Sequence, residues 1–131
     1  MTKIKAAILA LAAAGLLSAQ LWAGPAQAAG DVAKGEMVFK RCLICHTIKA
    51  GEPNRIGPNL HGLFERDAGK APGFTGYSGG LKGATFKWDD AKLDQWLADP
   101  QKLISGSRMA FRLADDQERQ DLIAYLHEAT K

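Results

Sequence analysis

The sequence predicts an all-α protein whose helices are joined by long loops wrapped around a rigid internal group. Apolar residues recur at helical spacing in three segments, and no segment shows the strict alternation typical of a half-buried strand. Residues 51–83 are rich in Gly and Pro, which disfavour regular structure. Because loops of this length are uncommon in a compact domain, they predict a cofactor that organises them.

Residues 1–28 have the pattern of a secretory signal peptide. Lys3 and Lys5 give a positive start, residues 6–17 are apolar, and Ala26-Gln27-Ala28 has the small-x-small pattern of a cleavage site. Cleavage there predicts one mature domain over residues 29–131, long enough for a single modest core. An uncleaved amino-terminal anchor is the alternative, although the apolar run is short and alanine-rich for a membrane span.

Aspartates mark the starts of the first two predicted helices. Asp31 is suited to cap a helix that leads into residues 42–46. A second helix begins at Asp89 and ends near Pro100, since proline interrupts a helix. The apolar face of this second helix consists of Leu93, Trp96 and Leu97.

A third helix is predicted at the carboxyl end of the chain. Residues 115–118, with the sequence Asp-Asp-Gln-Glu, resemble a capping box. The apolar positions that follow at helical spacing are Leu122, Ile123, Leu126 and Ala129, with Tyr125 beside them.

The most informative motif is C-x-x-C-H, formed by Cys42, Cys45 and His46 and containing both cysteines of the chain. Each thiol can add to one vinyl group of a porphyrin. The short loop then brings the His46 imidazole under the iron as an axial ligand. The motif therefore predicts one haem c per chain, attached covalently through Cys42 and Cys45.

Three other kinds of site contain a cysteine pair. A thioredoxin-like redox pair requires a βαβ setting, which this chain does not show. A structural zinc requires four ligands, and beyond the motif only His61 and His127 are candidates. A local disulfide is compatible with an oxidising compartment but gives His46 no role.

The compartment and the charge balance narrow the function further. Haem attachment to this motif takes place outside the cytoplasm, so the motif and the export signal together predict the periplasm. The 17 basic side chains include Lys3 and Lys5, which leaves 15 against 14 acidic ones in residues 29–131. This near-neutral balance excludes a polybasic nucleic-acid-binding protein.

A second axial ligand is needed to fill the iron's coordination opposite His46. Of the three methionines, Met1 leaves with the signal peptide and Met37 lies too close to the motif on the same helix. Met109 is the candidate, because it follows a glycine-containing loop and His/Met is a recurring electron-transfer pair. The alternatives are that Met109 fills core space or that His61 takes this position.

A set of residues spread over residues 30–130 carries a resemblance to a known family. These residues are Gly35, Phe39, Gly57-Pro58-Asn59-Leu60-His61-Gly62-Leu63-Phe64, Ala71-Pro72-Gly73-Phe74-Thr75, Trp88, Leu97, Met109, Phe111 and Asp121-Leu122-Ile123-Ala124-Tyr125-Leu126. In this order, and together with the C-x-x-C-H motif, they make the chain resemble the class I cytochromes c, in particular mitochondrial cytochrome c and its soluble bacterial relatives.

The resemblance implies three main helices plus long loops wrapped around one covalently bound haem. The first and last helices would cross where Gly35 meets Tyr125. The axial ligands would be His46 and Met109, and the Pro58 carbonyl would accept a hydrogen bond from the His46 imidazole.

The resemblance also implies that Arg66, Tyr77 and Trp88 bind the buried haem propionate, the alternative being ordinary packing or surface charge. The implied function is that of a soluble periplasmic one-electron carrier, not an enzyme. Its transient partners would be a donor dehydrogenase or cytochrome complex and an acceptor such as an oxidase. A monomer is expected, without nucleic acid or stable membrane insertion. The basic residues expected near the exposed haem edge are Lys40, Arg41, Lys102, Arg108 and Arg112.

Five positions depart from the mitochondrial pattern, among them Gly76, which looks like an insertion just before Tyr77. Trp96 replaces a tyrosine near the methionine sulfur, so the hydroxyl-to-sulfur hydrogen bond is absent or remade. The others are Leu81 for an asparagine, Ser107 for a threonine and Gln101 for a lysine of the docking surface. These changes are expected to alter the reduction potential, loop mobility and partner choice.

Two other function classes stay open at the level of sequence. A haem peroxidase or gas-binding protein would require Met109 to be off the iron, and Trp96 is the residue that keeps this alternative in view. A dedicated subunit of one redox complex would differ from a diffusing carrier by persisting with its partner at moderate salt.

Overall fold

The computed structural model describes residues 29–131, which form five α-helices and two short 3₁₀ turns. The helices are α1 (Val32–Phe39), α2 (Gly79–Lys82), α3 (Asp90–Ala98), α4 (Pro100–Leu103) and α5 (Asp116–Ala129), and the turns are Cys42–Ile44 and Leu63–Glu65. Within this part of the chain the only β-type pairing is an isolated bridge between Asp67 and Lys87. The predicted all-α class is therefore confirmed.

Helices α1 and α5 pack directly against each other. A Cβ atom at Gly35 would overlap the carbonyl of Asp121 and crowd the Cβ of Tyr125, so only glycine permits this approach. One turn along α1, the Phe39 and Tyr125 rings meet with centroids 5.4 Å apart. The crossing implied by the resemblance is thus present.

Aspartate side chains cap the three longer helices, as predicted. Asp31, Asp89 and Asp115 accept hydrogen bonds from backbone N–H groups three residues later, at 3.1, 2.7 and 2.8 Å. The Glu118 carboxylate, however, pairs with Arg41 on the other side of the helix crossing, at 2.9 Å. Only the Asp115 half of the predicted capping box therefore forms.

The chain after α3 contains a short helix that the sequence analysis did not predict. Helix α3 ends at Ala98, and Pro100 is the first residue of α4. The Asp99 side chain accepts a hydrogen bond from the Gln101 N–H at 3.0 Å and so caps this helix. Asp followed by Pro is a typical start signal, because proline has no N–H to leave unpaired in the first turn.

Arg119 joins α3 to α5 inside the domain. Its guanidinium donates to Asp94 on α3 at 2.7 Å and to the Leu113 carbonyl at 2.9 Å. The predicted apolar faces of α3 and α5 are confirmed, because both enter one core with Phe39 and Trp88. The buried residues of those two faces are Leu93, Trp96, Leu97, Leu122, Ile123 and Leu126.

The predicted signal peptide, residues 1–28, lies outside the described residues. Among the described helices, none combines the length and apolarity needed to cross a bilayer.

Candidate functional site

A cavity of about 610 Å³ occupies the centre of the domain. Its volume is in the range of small-molecule sites and far exceeds the voids found in ordinary cores. The residues predicted to bind the haem all lie on its lining. They are Cys42, Cys45, His46, Pro58, Arg66, Tyr77, Trp88 and Met109.

The two cysteines sit on the 3₁₀ turn that follows α1. The backbone N–H groups of Cys45 and His46 both donate to the Cys42 carbonyl, at 3.0 and 2.9 Å, and this compact turn places all three side chains on the cavity. No disulfide joins the two sulfur atoms. Burial raises the pKa of Cys42 to about 11, which disfavours the thiolate that a redox pair requires.

The His46 ring is fixed by the loop that follows it. Its Nδ1 lies 2.7 Å from the Pro58 carbonyl, which assigns the proton to Nδ1 and leaves Nε2 with a free lone pair. A side chain at Gly57 would overlap the imidazole, so glycine is required there. Burial lowers the pKa of His46, and the neutral imidazole is the form that binds a metal ion.

Met109 is held by contacts from two directions. The Trp96 indole N–H donates to the Met109 sulfur at 3.1 Å, so the hydrogen bond made by a tyrosine in the mitochondrial pattern is remade by an indole. The Met109 backbone N–H donates to the Ser107 hydroxyl at 3.3 Å. The thioether therefore has a defined orientation on the cavity lining.

Among residues 29–131, the other histidines and the other methionine lie away from the cavity lining. His127 lies 2.5 Å from Asp90 and its ring stacks on Phe64 at 3.8 Å. His61 is in the loop before the second 3₁₀ turn, and its carbonyl accepts from Arg66. Met37 is 61 % exposed on α1. None of the three therefore competes with Met109 in this fold.

Polar donors from the loop region complete the cavity lining. Arg66 donates to the Asn59 and His61 carbonyls at 2.7 and 2.8 Å and makes no ion pair with a carboxylate of the described chain. The Tyr77 hydroxyl accepts from the Ala71 N–H at 3.1 Å, which leaves its own proton free to donate. Because Arg66 is partly buried without a counter-ion, it suits a ligand carboxylate.

The lining fits a covalently held haem. It is mainly apolar, and its ionisable side chains include three arginines but no Asp or Glu. Two thiols can form thioethers, a neutral imidazole and a thioether can bind iron, and an arginine with a tyrosine can hold propionates. Across residues 29–131, no group of three or more His, Cys, Asp or Glu side chains could hold a metal ion.

Exposed apolar side chains at the cavity were missed by sequence reasoning. Ile44 and Ile56 are 75 % and 78 % exposed and belong to the cavity lining. Isolated isoleucines in polar segments give no periodic signal, so only the fold brings them together. Of the five predicted edge cations, Arg41 and Arg108 line the cavity. Lys40, Lys102 and Arg112 do not.

Comparisons with known proteins identify the family of this chain. The family model described as Cytochrome c matches residues 32–130. Cytochrome c of Arabidopsis thaliana is 47 % identical over 104 residues, which cover 78 % of this chain and 92 % of the plant protein. Cytochrome c of Stellaria longipes is 46 % identical over 104 residues, 78 % of this chain and 95 % of that protein.

A bacterial relative shows a similar match. Cytochrome c2 of Rhodomicrobium vannielii is 40 % identical over 110 residues, covering 83 % of this chain and 87 % of the relative. The family model and these relatives span nearly all of the described domain, and the cavity contains the two cysteines that a haem c requires. The chain therefore belongs to the cytochrome c family, and it is an electron carrier with a covalently attached haem c.

Proposed function

We propose that this protein is a soluble periplasmic one-electron carrier whose iron is ligated by His46 and Met109. The observation that carries this proposal is that an oriented imidazole and an oriented thioether line one cavity with Cys42 and Cys45. With both axial positions taken, no site is left for substrate or oxygen, so the protein is proposed not to be an enzyme.

The haem would supply a one-electron couple, and the chain's own residues tune and shield it. Pro58 holds the His46 ring through Nδ1 and raises its basicity as a ligand. Trp96 holds the Met109 sulfur. The apolar walls exclude water and so disfavour extra charge on the iron. Arg66 would offset the charge of a propionate, and Tyr77 and Trp88 would donate hydrogen bonds to it.

Transient redox proteins are the proposed partners: a dehydrogenase or cytochrome complex as donor and an oxidase as acceptor. The exposed Ile44 and Ile56 offer a small apolar contact at the cavity, and Arg41 and Arg108 lie beside it. A small apolar centre with few charges favours brief encounters over a permanent complex. We propose that the carrier works as a monomer.

The proposed ligation is tested by the visible spectrum of the haem-loaded protein in both oxidation states. The ferric wild type should show the long-wavelength sulfur-to-iron band, and Met109→Ala should lose it. Met37→Ala is the matched control and should keep the band, because Met37 lies outside the cavity. A high-spin or five-coordinate wild-type spectrum would reject the ligation and favour a peroxidase or gas-binding function.

The proposed periplasmic location follows from residues 1–28 and is tested by separate measurements. Intact mass of the protein purified from the periplasmic fraction should correspond to a chain that begins at Ala29 and carries one haem. A mass that includes residues 1–28, recovered with the membrane fraction, would instead indicate an amino-terminal anchor.

A further inference from the structure

The loop over residues 104–109, called the Met109 loop below, connects α4 to the sulfur of Met109. It is a tight turn in which the Ser107 N–H donates to the Ile104 carbonyl at 3.1 Å. Gly106 has φ +78°, a left-handed conformation that glycine adopts without strain. Ile104 and Met109 pack against the core at the two ends of the loop, whereas Ser105 and Gly106 at its tip are exposed, so polar contacts are needed to hold the tip.

The Gln101 side chain supplies two of those contacts. Its Oε1 accepts a hydrogen bond from the Gly106 N–H at 3.0 Å. Its Nε2 donates to the Ser107 carbonyl. One amide therefore binds a donor and an acceptor of adjacent residues, which fixes both the position and the rotation of the turn.

The Gln101 amide is itself held in place at the start of α4. The Gln101 backbone N–H donates to the Asp99 carboxylate at 3.0 Å, and the same carboxylate pairs with Arg112 at 3.2 Å. On the other side, Ser107 is buried and its hydroxyl accepts from the Met109 N–H at 3.3 Å. The contacts form a continuous series from α4 through Gln101 and Ser107 to Met109.

We propose that Gln101 is a positioning residue that holds the Met109 loop closed and keeps the thioether on the cavity. The proposal rests on the proposed ligation of iron by Met109. A lysine at this position could donate to the Ser107 carbonyl, but it could not accept from the Gly106 N–H. Compared with a lysine, the glutamine therefore lacks the positive charge but makes a second hydrogen bond to the loop.

The test uses the haem-loaded protein with Gln101→Met, which keeps the length of the side chain and removes both hydrogen bonds. Gln101→Glu keeps the acceptor for Gly106 but places a carboxylate oxygen against the Ser107 carbonyl. Gln95→Met is the matched control, because Gln95 is exposed on α3 and its side chain makes no hydrogen bond within residues 29–131.

Two readouts separate a loop effect from general destabilisation. Amide exchange at Gly106 should become about fivefold to tenfold faster in Gln101→Met, the factor expected for one lost hydrogen bond. In Gln101→Met the sulfur-to-iron band should disappear at a lower denaturant concentration than the helical signal. Gln101→Glu should lie between the wild type and Gln101→Met. Gln95→Met should match the wild type.

The proposal is overturned if Gly106 exchange in Gln101→Met stays within about twofold of the Gln95→Met control. It is also overturned if exchange in α5 accelerates by the same factor, since the effect would then be global. If the wild type itself lacks the sulfur-to-iron band, the ligation by Met109 is wrong. The Gly106 exchange then still decides whether Gln101 closes the loop.

Discussion

The Trp96 indole nitrogen lies 3.1 Å from the sulfur of Met109. A thioether sulfur has two lone pairs, and the indole N–H can only donate. One lone pair is therefore engaged by Trp96 and the other is available to a metal. Unlike a tyrosine hydroxyl, the indole cannot accept a further hydrogen bond, and the nearby Leu81 is apolar and also on the lining. Fewer side chains can therefore form a hydrogen-bond network beside this sulfur than in the mitochondrial pattern.

Trp96→Phe should lower the reduction potential. A donor to the sulfur withdraws electron density from the thioether and weakens its donation to ferric iron more than to ferrous iron. Loss of one hydrogen bond should therefore stabilise the ferric form, by roughly 20–60 mV for a one-electron couple. Trp96→Tyr restores a donor and should lie closer to the wild type. Redox titration of the three proteins measures this order, and a potential for Trp96→Phe equal to or above wild type would contradict it.

Gly35→Ala should destabilise the domain by about 2–3 kcal/mol, because the new methyl group would overlap the Asp121 backbone carbonyl where α1 meets α5. Gly79→Ala is the control: no heavy atom lies within 4 Å of its added Cβ, and alanine favours a helix. Denaturant unfolding followed by helical signal compares the two. Equal stability of the two variants would show that the helix crossing can relax.

Asp121→Asn should remove part of the acid sensitivity of folding. The Asp31 N–H donates to the Asp121 carboxylate at 2.7 Å, and this hydrogen bond holds the pKa of Asp121 below its ordinary value, against the opposite effect of burial. A carboxylate whose pKa is lower in the folded state stabilises the fold at a pH above its unfolded pKa of about 4. This stabilisation is lost as the pH falls through the folded-state pKa.

The wild type should therefore be more stable than Asp121→Asn by about 1 kcal/mol at neutral pH, and the gap should close as the pH falls below about 4. Glu128→Gln is the control, since it removes a carboxylate of α5 that makes no hydrogen bond in the described chain. Unfolding free energies between pH 2.5 and 7 provide the measurement. A difference in unfolding free energy that grows as the pH falls would contradict the prediction.

Arg108→Gln should slow electron exchange with hexacyanoferrate, an anionic reagent, several-fold at low ionic strength. Arg108 lies on the cavity lining, whereas Lys102 on α4 does not, so Lys102→Gln is the matched control for the loss of one charge. At about 0.5 M salt the Debye length is only a few ångströms, and the two variants should converge. Stopped-flow rates measured over a series of salt concentrations test this. If the rates of both variants depend on ionic strength in the same way, the position of the lost charge does not matter.

Features encoded within a few residues were the ones that the sequence predicted. The caps at Asp31, Asp89 and Asp115 depend on a hydrogen bond three residues away, and the turn at Cys42 depends only on its own backbone. The position of Met109 on the cavity was predicted because few other ligands were available.

Features that join distant segments were not predicted. Glu118 was expected to complete a capping box, but Arg41 is 77 residues away in sequence and offers its carboxylate a charged partner. Arg119 gave no sequence signal for its pairing with Asp94, 25 residues earlier. The contacts of Gln101 span only five and six residues, but they require a left-handed turn at Gly106 that the apolar pattern does not predict. These contacts follow from the folded path of the chain rather than from any local pattern.

The cavity shares its walls with the hydrophobic core, since Phe39, Leu93, Leu97, Leu122 and Leu126 belong to both. Because an enclosed apolar void costs roughly 24 cal/mol per Å³, the haem is expected to supply a large share of the stability of the domain. We therefore expect the chain without haem to unfold at a much lower denaturant concentration than the haem-loaded protein.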